Sequence, residues 1–406
     1  MQLITRKLYA DKVDAWIGKG QMIVLTGLRR VGKSYIPRDF LERHKEDMQT
    51  NFIYINKERK KFDAIKNNEQ LNAYIDEHWV EGLHNFILID EVQEIESWEK
   101  SVRSYRTEED TDIIITGSNS KMLSSELSTL IGGRYHEIYV QSLSYQEFLL
   151  FHELEDNDDA LSKYINYGGL PGLKQVGLDD EEFVWDYIRA VFHTVMLKDI
   201  VERNNIRNVS FLNTLLRYFA DTIGKLSSLN NISKFMKSQG LDVSVKSIAA
   251  YLNYFRDAYL LLTVDRFDIH GKKLLESNEK IYFGDVGLRN LIAGGERQGD
   301  IEKILENIVY QQLVRMGYAV SVGQLRAGEV DFVCTKSNER LYVQVAYLIA
   351  SEETEEREFG SLDNIKDNYP KYVISMTPLV RRSDRQGVVH LGLREFLKNG
   401  FEKKLP

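Results

Sequence analysis

The residues with the clearest chemical meaning lie in the run M-I-V-L-T-G-L-R-R-V-G-K-S, residues 22–34. The apolar residues that open this run are typical of a short buried strand. Gly27, Gly32, Lys33 and Ser34 then satisfy the pattern G-x-x-x-x-G-K-[ST]. The glycines allow a loop whose N–H groups point inward around an anion, with the N-terminus of the next helix behind them. The pattern therefore predicts a strand, a phosphate-binding loop (P-loop) and a helix.

Within such a loop, Lys33 is expected to reach the β- and γ-phosphates of a nucleotide, and the Ser34 hydroxyl to ligate Mg²⁺. A strand–turn–helix junction that matches the pattern by accident is the alternative, and the apolar strand before the loop weakens it. We expect the nucleotide phosphates to contact a continuous set of residues: Gly27, Leu28, Arg29, Arg30, Val31, Gly32, Lys33, Ser34 and Tyr35.

Two carboxylates follow a second apolar run, F-I-L-I-D-E, at residues 86–91. Four consecutive apolar residues suit a strand that is buried on both faces of a parallel sheet, and ligands bind at the carboxyl ends of such strands. Asp90 is predicted to hold Mg²⁺ beside Ser34, and Glu91 to polarise the attacking water as a general base. A strand that ends in two solvated acids is the alternative, but a P-loop upstream favours catalysis.

Candidates for sensing the nucleotide come later in the same region. The strand predicted at residues 113–116 is followed by G-S-N-S, and Ser118 or Asn119 is expected to sense the γ-phosphate or orient water. The sequence does not separate these two residues, and ordinary turn chemistry explains them equally well.

Arg134 is predicted to be an arginine finger that acts on the nucleotide of its own or of a neighbouring subunit. A surface or salt-bridged arginine is the alternative.

The composition of the 406-residue chain indicates two or three globular domains, with 43% hydrophobic and 28% charged residues. The net charge of −8 argues against a surface that coats nucleic acid generally, although it permits a local basic patch. The single cysteine, Cys334, excludes an internal disulfide framework and a cysteine-based zinc site. No apolar run approaches the ~20 residues of a membrane helix, and the N-terminus has no signal-peptide core. We expect a cytoplasmic protein without membrane association.

The motifs described above, together with G-R-Y and L-S-Y-Q-E-F (residues 143–148), resemble the prokaryotic AAA-type ATPases that carry a C-terminal DUF4143 domain. The resemblance covers nearly the whole chain and implies an ASCE-type parallel sheet with strand order 5-1-4-3-2. It also implies ATP as the nucleotide, in agreement with the lack of an N-K-x-D guanine-binding motif. Later segments are similar to landmarks of that family: Y-G-G-L-P-G (167–172), K-I-Y-F-G-D-V-G-L (280–288), L-E-N-I-V-Y (305–310) and G-E-V-D-F-V (328–333).

The middle of the chain is predicted to contain a winged helix. The pattern indicates three helices and a β-ribbon, at residues 211–223, 229–238, 244–258 and 259–265. The third helix of a winged helix can enter a DNA major groove, where phosphate contacts need Lys and Arg. Here that helix offers only Lys246, Asn253 and Arg256 as polar contacts. A structural or protein-contact role is therefore favoured over DNA reading.

The C-terminal region is similar in its order of elements to the PD-(D/E)xK nuclease core. A helix at 301–316 carries Glu306, and strands follow at 318–322, 330–334 and 341–346. Nuclease chemistry of this kind needs two acids around Mg²⁺ and a lysine two residues beyond the second acid. Gln344 and Ala346 stand at the second-acid and lysine positions. We expect a nuclease-like fold without activity, in which Glu306 and Asp331 are the remaining metal ligands.

The predicted fold class is α/β. We expect a P-loop ATPase domain (1–150), a helical connector (151–205), a winged-helix-like domain (206–290) and a restriction-endonuclease-like α/β domain (291–406).

The main hypothesis is Mg²⁺-dependent ATP hydrolysis that is coupled to contact with DNA or a protein partner. The alternative is a nucleotide-switched DNA-binding or regulatory protein with slow hydrolysis, and a metal-dependent nuclease is a third hypothesis. A homo-oligomer is left open.

Overall fold

The computed structural model describes residues 3–120, 133–295, 298–326, 328–378, 383–385 and 387–402. The chain forms two compact units. The first contains Met1–Ser142 and the short segment Asp257–Tyr259, and the second contains Leu143–Arg256 and Leu260–Pro406. A helix that the sequence predicts at 121–130 lies outside the described residues. None of the helices that the structure describes has the length and apolar content needed to cross a membrane.

The first unit alternates strands and helices. Its α-helices are α1 (Lys7–Trp16), α2 (Tyr35–His44), α3 (Asn68–His78) and α4 (Trp98–Tyr105), with 3₁₀ turns at Lys60–Phe62 and Val92–Glu94. Its strands are β1 (Met22–Thr26), β2 (Thr50–Asn56), β3 (His84–Asp90), β4 (Thr111–Thr116) and β5 (Tyr135–Tyr139).

These strands form one parallel sheet in the order β2-β3-β4-β1-β5. This is the predicted order 5-1-4-3-2 read from the other edge, so the predicted topology is confirmed. Ile23 pairs with Ile114, and Ile87 pairs with Ile113, which places β4 between the loop-bearing strand and the acid-bearing strand. Because all five strands are parallel, their carboxyl ends lie at the same edge of the sheet.

Both faces of this sheet are covered, as a parallel sheet requires. On one face, Ile87 and Ile89 belong to a buried cluster with Leu71 of α3 and Val102 of α4. On the other face, the ring of Phe86 packs edge-on against Phe40 of α2, with centroids 5.0 Å apart. Successive residues of β3 therefore serve opposite layers, which explains the continuous apolar run in its sequence.

The second unit begins with helices. They are α5 (Tyr145–His152), α6 (Asp158–Tyr167), α7 (Leu173–Val176), α8 (Glu181–Thr194) continued by a π-helical stretch (Val195–Glu202), α9 (Val209–Asp221), α10 (Leu229–Ser238), α11 (Val245–Asp257), α12 (Val286–Ala293), a 3₁₀ turn (Gln298–Asp300), α13 (Ile301–Arg315), α14 (Glu352–Asp363) and α15 (Leu393–Asn399). Its strands are β6 (Leu226–Ser227), β7 (Leu261–Asp268), β8 (Lys273–Phe283), β9 (Ala319–Gln324), β10 (Glu329–Lys336), β11 (Glu339–Ala346), β12 (Lys371–Ser375), β13 (Ser383–Arg385) and β14 (Val388–Gly392).

The described strands of this unit form one nine-stranded sheet in the order β13-β14-β12-β11-β10-β9-β7-β8-β6. Strand β7 pairs in parallel with β9, with Arg266 opposite Val322. This pairing joins the region predicted as a winged helix to the region predicted as nuclease-like. The boundary expected near residue 290 therefore does not separate two compact units, because backbone hydrogen bonds cross it within one sheet.

The local order of elements in this unit can be compared with both predictions. Helix α9, β6, α10, α11 and the β7–β8 hairpin follow one another, and β6 pairs with β8. Downstream, α13 is followed by the antiparallel strands β9, β10 and β11, and then by α14 and β12, which is parallel to β11. The winged-helix and nuclease-like interpretations both stay predictions.

Asp285 connects two of the sequence landmarks in the second unit. Its carboxylate accepts hydrogen bonds from the N–H groups of Gly287 (2.9 Å) and Leu288 (3.3 Å), which caps the buried helix α12. The other oxygen accepts from the N–H of Gly169, 116 residues earlier in the chain, at 2.9 Å. A Cβ on Gly168 would lie 2.3 Å from this carboxylate. The Asp285 carboxylate therefore links the Y-G-G segment to the G-D-V-G segment by hydrogen bonds.

We expect Asp285→Ala to destabilise the second unit by about 3 kcal/mol or more, because it removes a helix cap and leaves the buried N–H of Gly169 without its acceptor. Asp180→Ala is the matched control: Asp180 caps α8 through Glu182 and Phe183, but it is exposed. Its expected cost is about 1 kcal/mol. Urea unfolding measures both, and equal costs would contradict the role given to Asp285.

Candidate nucleotide site

The glycine-rich loop follows the carboxyl end of β1. Gly27 has φ 139° and Gly32 has φ 92°, a region of backbone conformation that favours glycine. A Cβ on Gly27 would lie 2.2 Å from the carbonyl oxygen of Val140, directly after β5. The loop can therefore close against the neighbouring strand only with glycine at this position.

Lys33 points into this loop. Its side chain is buried, and its ammonium donates hydrogen bonds to the carbonyl oxygens of Gly27 and Leu28, both at 2.9 Å. The helix that follows the loop begins at Tyr35, because Lys33 and Ser34 still form a turn. Among the predicted phosphate contacts, the side chains of Arg30 and Tyr35 face solvent, so only their backbone could serve the loop interior.

Asp90 ends β3 and is completely buried. One carboxylate oxygen accepts a hydrogen bond from the Thr116 hydroxyl (2.5 Å), and the other accepts from the Asn56 amide (2.9 Å). The hydroxyl of Ser34 lies close enough to this carboxylate to lower its pKa. Burial, with a contribution from the charge of Glu91, raises the pKa of Asp90 to about 6, although the hydroxyls of Thr116 and Ser34 oppose this shift.

These residues fit a magnesium ion. Mg²⁺ prefers oxygen ligands and keeps several waters, and the structure brings the Ser34 hydroxyl and the Asp90 carboxylate together beside the loop. A buried carboxylate with a raised pKa is also one that a nearby cation would stabilise. The sequence predicted this pair, and the roles of both residues as metal ligands stay predictions.

Glu91 stands in an unusual backbone conformation. Its φ of 56° and ψ of 53° lie in the left-handed region, which is costly for a residue with a side chain. Its N–H donates to the Thr116 hydroxyl at 3.0 Å, and its buried carboxylate accepts from the Gln93 amide. The sharp turn allows two consecutive acids to face different partners. This arrangement suits the separate roles that the sequence assigns to Asp90 and Glu91.

Thr116 and Asn56 are functional candidates that the sequence reasoning missed. Asn56 is directly opposite Asp90 in the β2–β3 register, and Ile89 pairs with Ile115, so Thr116 lies next to Asp90. Each of these polar residues is the last residue of its strand. A polar residue at the end of each strand beside the acid-bearing strand is the signal that could have identified them.

Ser118 and Asn119 both follow β4 at the carboxyl edge of the sheet. Both side chains are almost completely buried, with exposed fractions of 0% and 4%. Their burial separates them from ordinary solvated turn residues. The structure does not choose between them as the sensor, and that role stays a prediction for either residue.

Arg134 lies at the amino-terminal ends of the parallel strands, whereas the loop lies at their carboxyl ends. It directly precedes β5, its carbonyl oxygen accepts from the N–H of Met22 at the start of β1, and its side chain is exposed. Strand β1 has five residues, so about 16 Å of strand lies between Arg134 and the loop. This distance does not favour action of Arg134 on the nucleotide of its own chain, and that role stays a prediction. A role on a neighbouring subunit's nucleotide stays a prediction.

A further polar group lies beneath the loop within the first unit. The hydroxyl of Thr26, the residue before Gly27, donates to the Glu137 carboxylate at 2.6 Å. The Tyr259 hydroxyl donates to the same carboxylate oxygen at 3.4 Å, and its ring stacks on Tyr139. Sequence reasoning did not connect Tyr259 with the loop, because more than two hundred residues separate them.

Two families match separate parts of the chain. A family described as "AAA domain" matches residues 19–149, and a family described as "Domain of unknown function (DUF8612)" matches residues 158–298. An uncharacterized protein of Haemophilus influenzae is 35% identical over 92% of this chain and 93% of its own length. An uncharacterized protein of Methanocaldococcus jannaschii is 30% identical over 85% of this chain and 78% of its own length.

The chain belongs to the same family as these two uncharacterized proteins, and its residues 19–149 match the AAA domain. The prediction of a C-terminal DUF4143 domain was wrong, because the matching family is DUF8612. A solved structure, the Walker-type ATPase of Pyrococcus abyssi, is 15% identical and covers 71% of this chain and 95% of its own, with a TM-score of 0.51. This similarity concerns the fold alone. It agrees with the parallel P-loop sheet of the first unit of the AAA-domain protein.

We expect Asp90→Asn to be more stable than the wild type at pH 8. The folded-state pKa of about 6 lies above the ordinary value of 3.8, so the protonated form favours folding. This contribution is complete below about pH 4 and is lost as the pH rises through about 6. The variant should gain about 1–3 kcal/mol at pH 8, and the gain should vanish near pH 4.

Urea unfolding at several pH values measures this difference. Asp112→Asn is the control, since the Asp112 carboxylate is also buried but accepts from the N–H of Gly18 (3.1 and 3.0 Å) and contacts His84 at 2.9 Å. This control should be destabilised at pH 8. A stability gain for Asp90→Asn that is independent of pH would contradict the burial argument.

Proposed function

We propose that the AAA-domain protein binds ATP with Mg²⁺ and hydrolyses it. One observation carries this proposal: the buried Asp90 carboxylate lies beside the Ser34 hydroxyl, which lowers its pKa, and Ser34 directly follows a loop that already encloses the Lys33 ammonium. These are the groups that P-loop ATPases use for the metal and the phosphates. The preference for ATP over GTP rests on the family resemblance and on the lack of a guanine-binding motif.

Each residue has a distinct role in this proposal. Lys33 exchanges its two carbonyl acceptors for phosphate oxygens when ATP enters the loop. Ser34 and Asp90 hold Mg²⁺, which when bound neutralises charge on the phosphates. Glu91 accepts a proton from the attacking water. Thr116 holds the Asp90 carboxylate and the Glu91 backbone in place through its two hydrogen bonds.

We expect Glu91→Gln to bind ATP normally and to hydrolyse it at least about 100-fold more slowly, since general-base catalysis contributes about 10²–10⁴-fold. Lys33→Ala should lose ATP binding itself. Glu94→Gln, which changes an exposed acid three residues away, should have wild-type turnover. Steady-state phosphate release and nucleotide-binding titrations measure these effects. If the wild type is no faster than Glu91→Gln, the chain is a nucleotide switch rather than an ATPase.

Arg134→Ala tests the remaining role of Arg134. Because this residue is remote from the loop of its own chain, ATP affinity should change by less than about twofold. If Arg134 acts on a neighbouring subunit, the wild-type turnover per chain should rise with protein concentration and the variant should lose this rise. A large loss of ATP affinity at low protein concentration would contradict the placement of Arg134.

The second candidate function is a nucleotide-switched DNA-binding protein, and the surface of α11 favours it. Lys246, Asn253 and Arg256 are all exposed, and their spacing of seven and three residues places them on one helix face. The β7–β8 hairpin adds the exposed Lys272 and Lys273 near its turn. This face could contact phosphates despite the net charge of −8.

Under this second function, DNA affinity should depend on whether ATP or ADP is bound. Lys246→Ala should weaken DNA binding and lower the slope of log K against log salt by about 1. Lys163→Ala, which removes a lysine paired with Asp159 on α6, is the control. Fluorescence anisotropy with duplex DNA at several salt concentrations measures both. Equal slopes for the wild type and Lys246→Ala would exclude this face as a DNA contact.

A further inference from the structure

The second unit contains a buried group of charges that the proposed function does not use. Lys280 on β8 is 1% exposed, and Glu306 on α13 is completely buried. Asp331 on β10 is 5% exposed, and the neighbouring acid on this strand, Glu329, is partly buried. Lysine and glutamate are rarely buried to this extent unless they are paired. The group therefore needs an explanation.

The three acids converge on one ammonium group. The Lys280 Nζ lies 2.6 Å from Glu329 Oε1, 3.2 Å from Asp331 Oδ1 and 3.3 Å from Glu306 Oε2. An ammonium group has three N–H donors and no acceptor, so the three carboxylates can use all of its donors. Lys280 thus lies where three acidic side chains from helix α13 and strand β10 converge.

The carboxylates of Glu306 and Asp331 also have partners besides Lys280. The Tyr282 hydroxyl donates to Glu306 Oε2 at 3.0 Å, and Lys303 pairs with Glu306 Oε1. The second oxygen of Asp331 accepts from the N–H of Val345 at 2.9 Å. The pocket therefore contains three acids and two lysines, and each carboxylate oxygen of Glu306 and Asp331 has a partner.

Electrostatics favours the charged form of Lys280. Burial alone would lower the pKa of Lys280, but the acids around it outweigh this effect, so its pKa is raised well above the usual value. Burial and the charge of Asp331 raise the pKa of Glu306 to about 7, against the opposing effect of the two lysines. The one acid in excess of the lysines can thus carry a proton near neutral pH.

Glu306 and Asp331 are the positions from which the nuclease-like interpretation expects a divalent cation to be held. The third candidate, Gln344, uses its side-chain carbonyl to accept from the Asp331 N–H at 3.2 Å, while its amide donates to Glu358 at 3.1 Å. Among the described residues, no group of three His, Cys, Asp or Glu is spaced to hold a metal ion. The carboxylates are spaced for an ammonium group instead.

We propose that the Lys280 ammonium is a built-in substitute for a divalent cation, and that it keeps this carboxylate pocket from taking a metal. Lys280 comes from the β7–β8 hairpin, whereas Glu306, Glu329 and Asp331 come from α13 and β10. The ion pairs therefore fasten the hairpin to the rest of the sheet without a metal. This proposal is independent of the nucleotide site.

A specific consequence follows for a chain without Lys280. Removal of the ammonium leaves three acids against one lysine in a buried pocket, which is an unfavourable excess of negative charge. A divalent cation with a preference for oxygen ligands, such as Mn²⁺, can then replace the missing charge. The carboxylates must approach by about 1 Å, since such ions bind oxygen at about 2.0–2.2 Å.

The test uses the full chain without nucleotide and compares the wild type with Lys280→Ala. The variant should have a lower Tm than the wild type, and 1 mM Mn²⁺ should raise its Tm by about 4 °C or more beyond any shift in the wild type. Lys280→Ala combined with Asp331→Asn should lose this Mn²⁺ effect. Lys272→Ala, an exposed lysine on the same hairpin, should behave as the wild type. A folded Lys280→Ala without the extra Mn²⁺ shift overturns the proposal.

A second measurement needs no variant. Fe²⁺ with ascorbate and peroxide cleaves the backbone near bound iron, so a metal in this pocket would cut the chain close to residues 306 and 331. The wild type should show no such cut, whereas cleavage there would overturn the proposal. Since this result is obtained on the wild type, it decides the question even if Lys280→Ala fails to fold. Where that variant folds, the same cut should appear in it.

Discussion

The nucleotide site depends on one constraint, the parallel pairing of β1, β3 and β4. Parallel strands place all of their carboxyl ends at one edge of the sheet, and the register then fixes which end residues are neighbours. This pairing is the reason that a loop after β1 and two acids after β3 meet, although more than fifty residues separate them. It also places Arg134 at the other end of the strands from the loop, since that residue precedes its strand.

Buried charge is treated differently in the two units. In the second unit, Asp285 accepts hydrogen bonds from three backbone N–H groups, and the Lys280 ammonium is a cation that pairs with three carboxylates. In the first unit, the partners of Asp90 are neutral side chains, and burial leaves its pKa raised to about 6. The raised pKa alone does not distinguish the two units, since the pKa of the buried Glu306 is also raised, to about 7. The difference is that Lys280 supplies a cation to the acids of the second unit, whereas Asp90 has only neutral partners, so a bound cation would stabilise its charged form.

Local sequence patterns predicted most individual elements, but they did not predict how the elements combine. The glycine pattern at residues 27–34 predicted the loop and helix that follow β1, and the apolar run before Asp90 predicted β3. Both depend on neighbours within a few residues. The junction between Gly169 and Asp285 and the pairing of β7 with β9 depend on residues that are far apart in the chain. No local pattern reports such contacts, so the sequence did not show that the regions on either side of residue 290 share one sheet.

The sequence by itself determined the chemistry of the loop and the order of the parallel sheet. Glycines at Gly27 and Gly32, a lysine and a hydroxyl at fixed spacing are a local requirement of phosphate binding, and a family resemblance supplied the topology. Only the tertiary structure decided which side chains contact Asp90 and at which end of the parallel strands Arg134 lies. It also decided that Lys280 lies in the pocket formed by Glu306 and Asp331. These outcomes follow from strand register and from the pairing of buried charges, and both are properties of the packed chain.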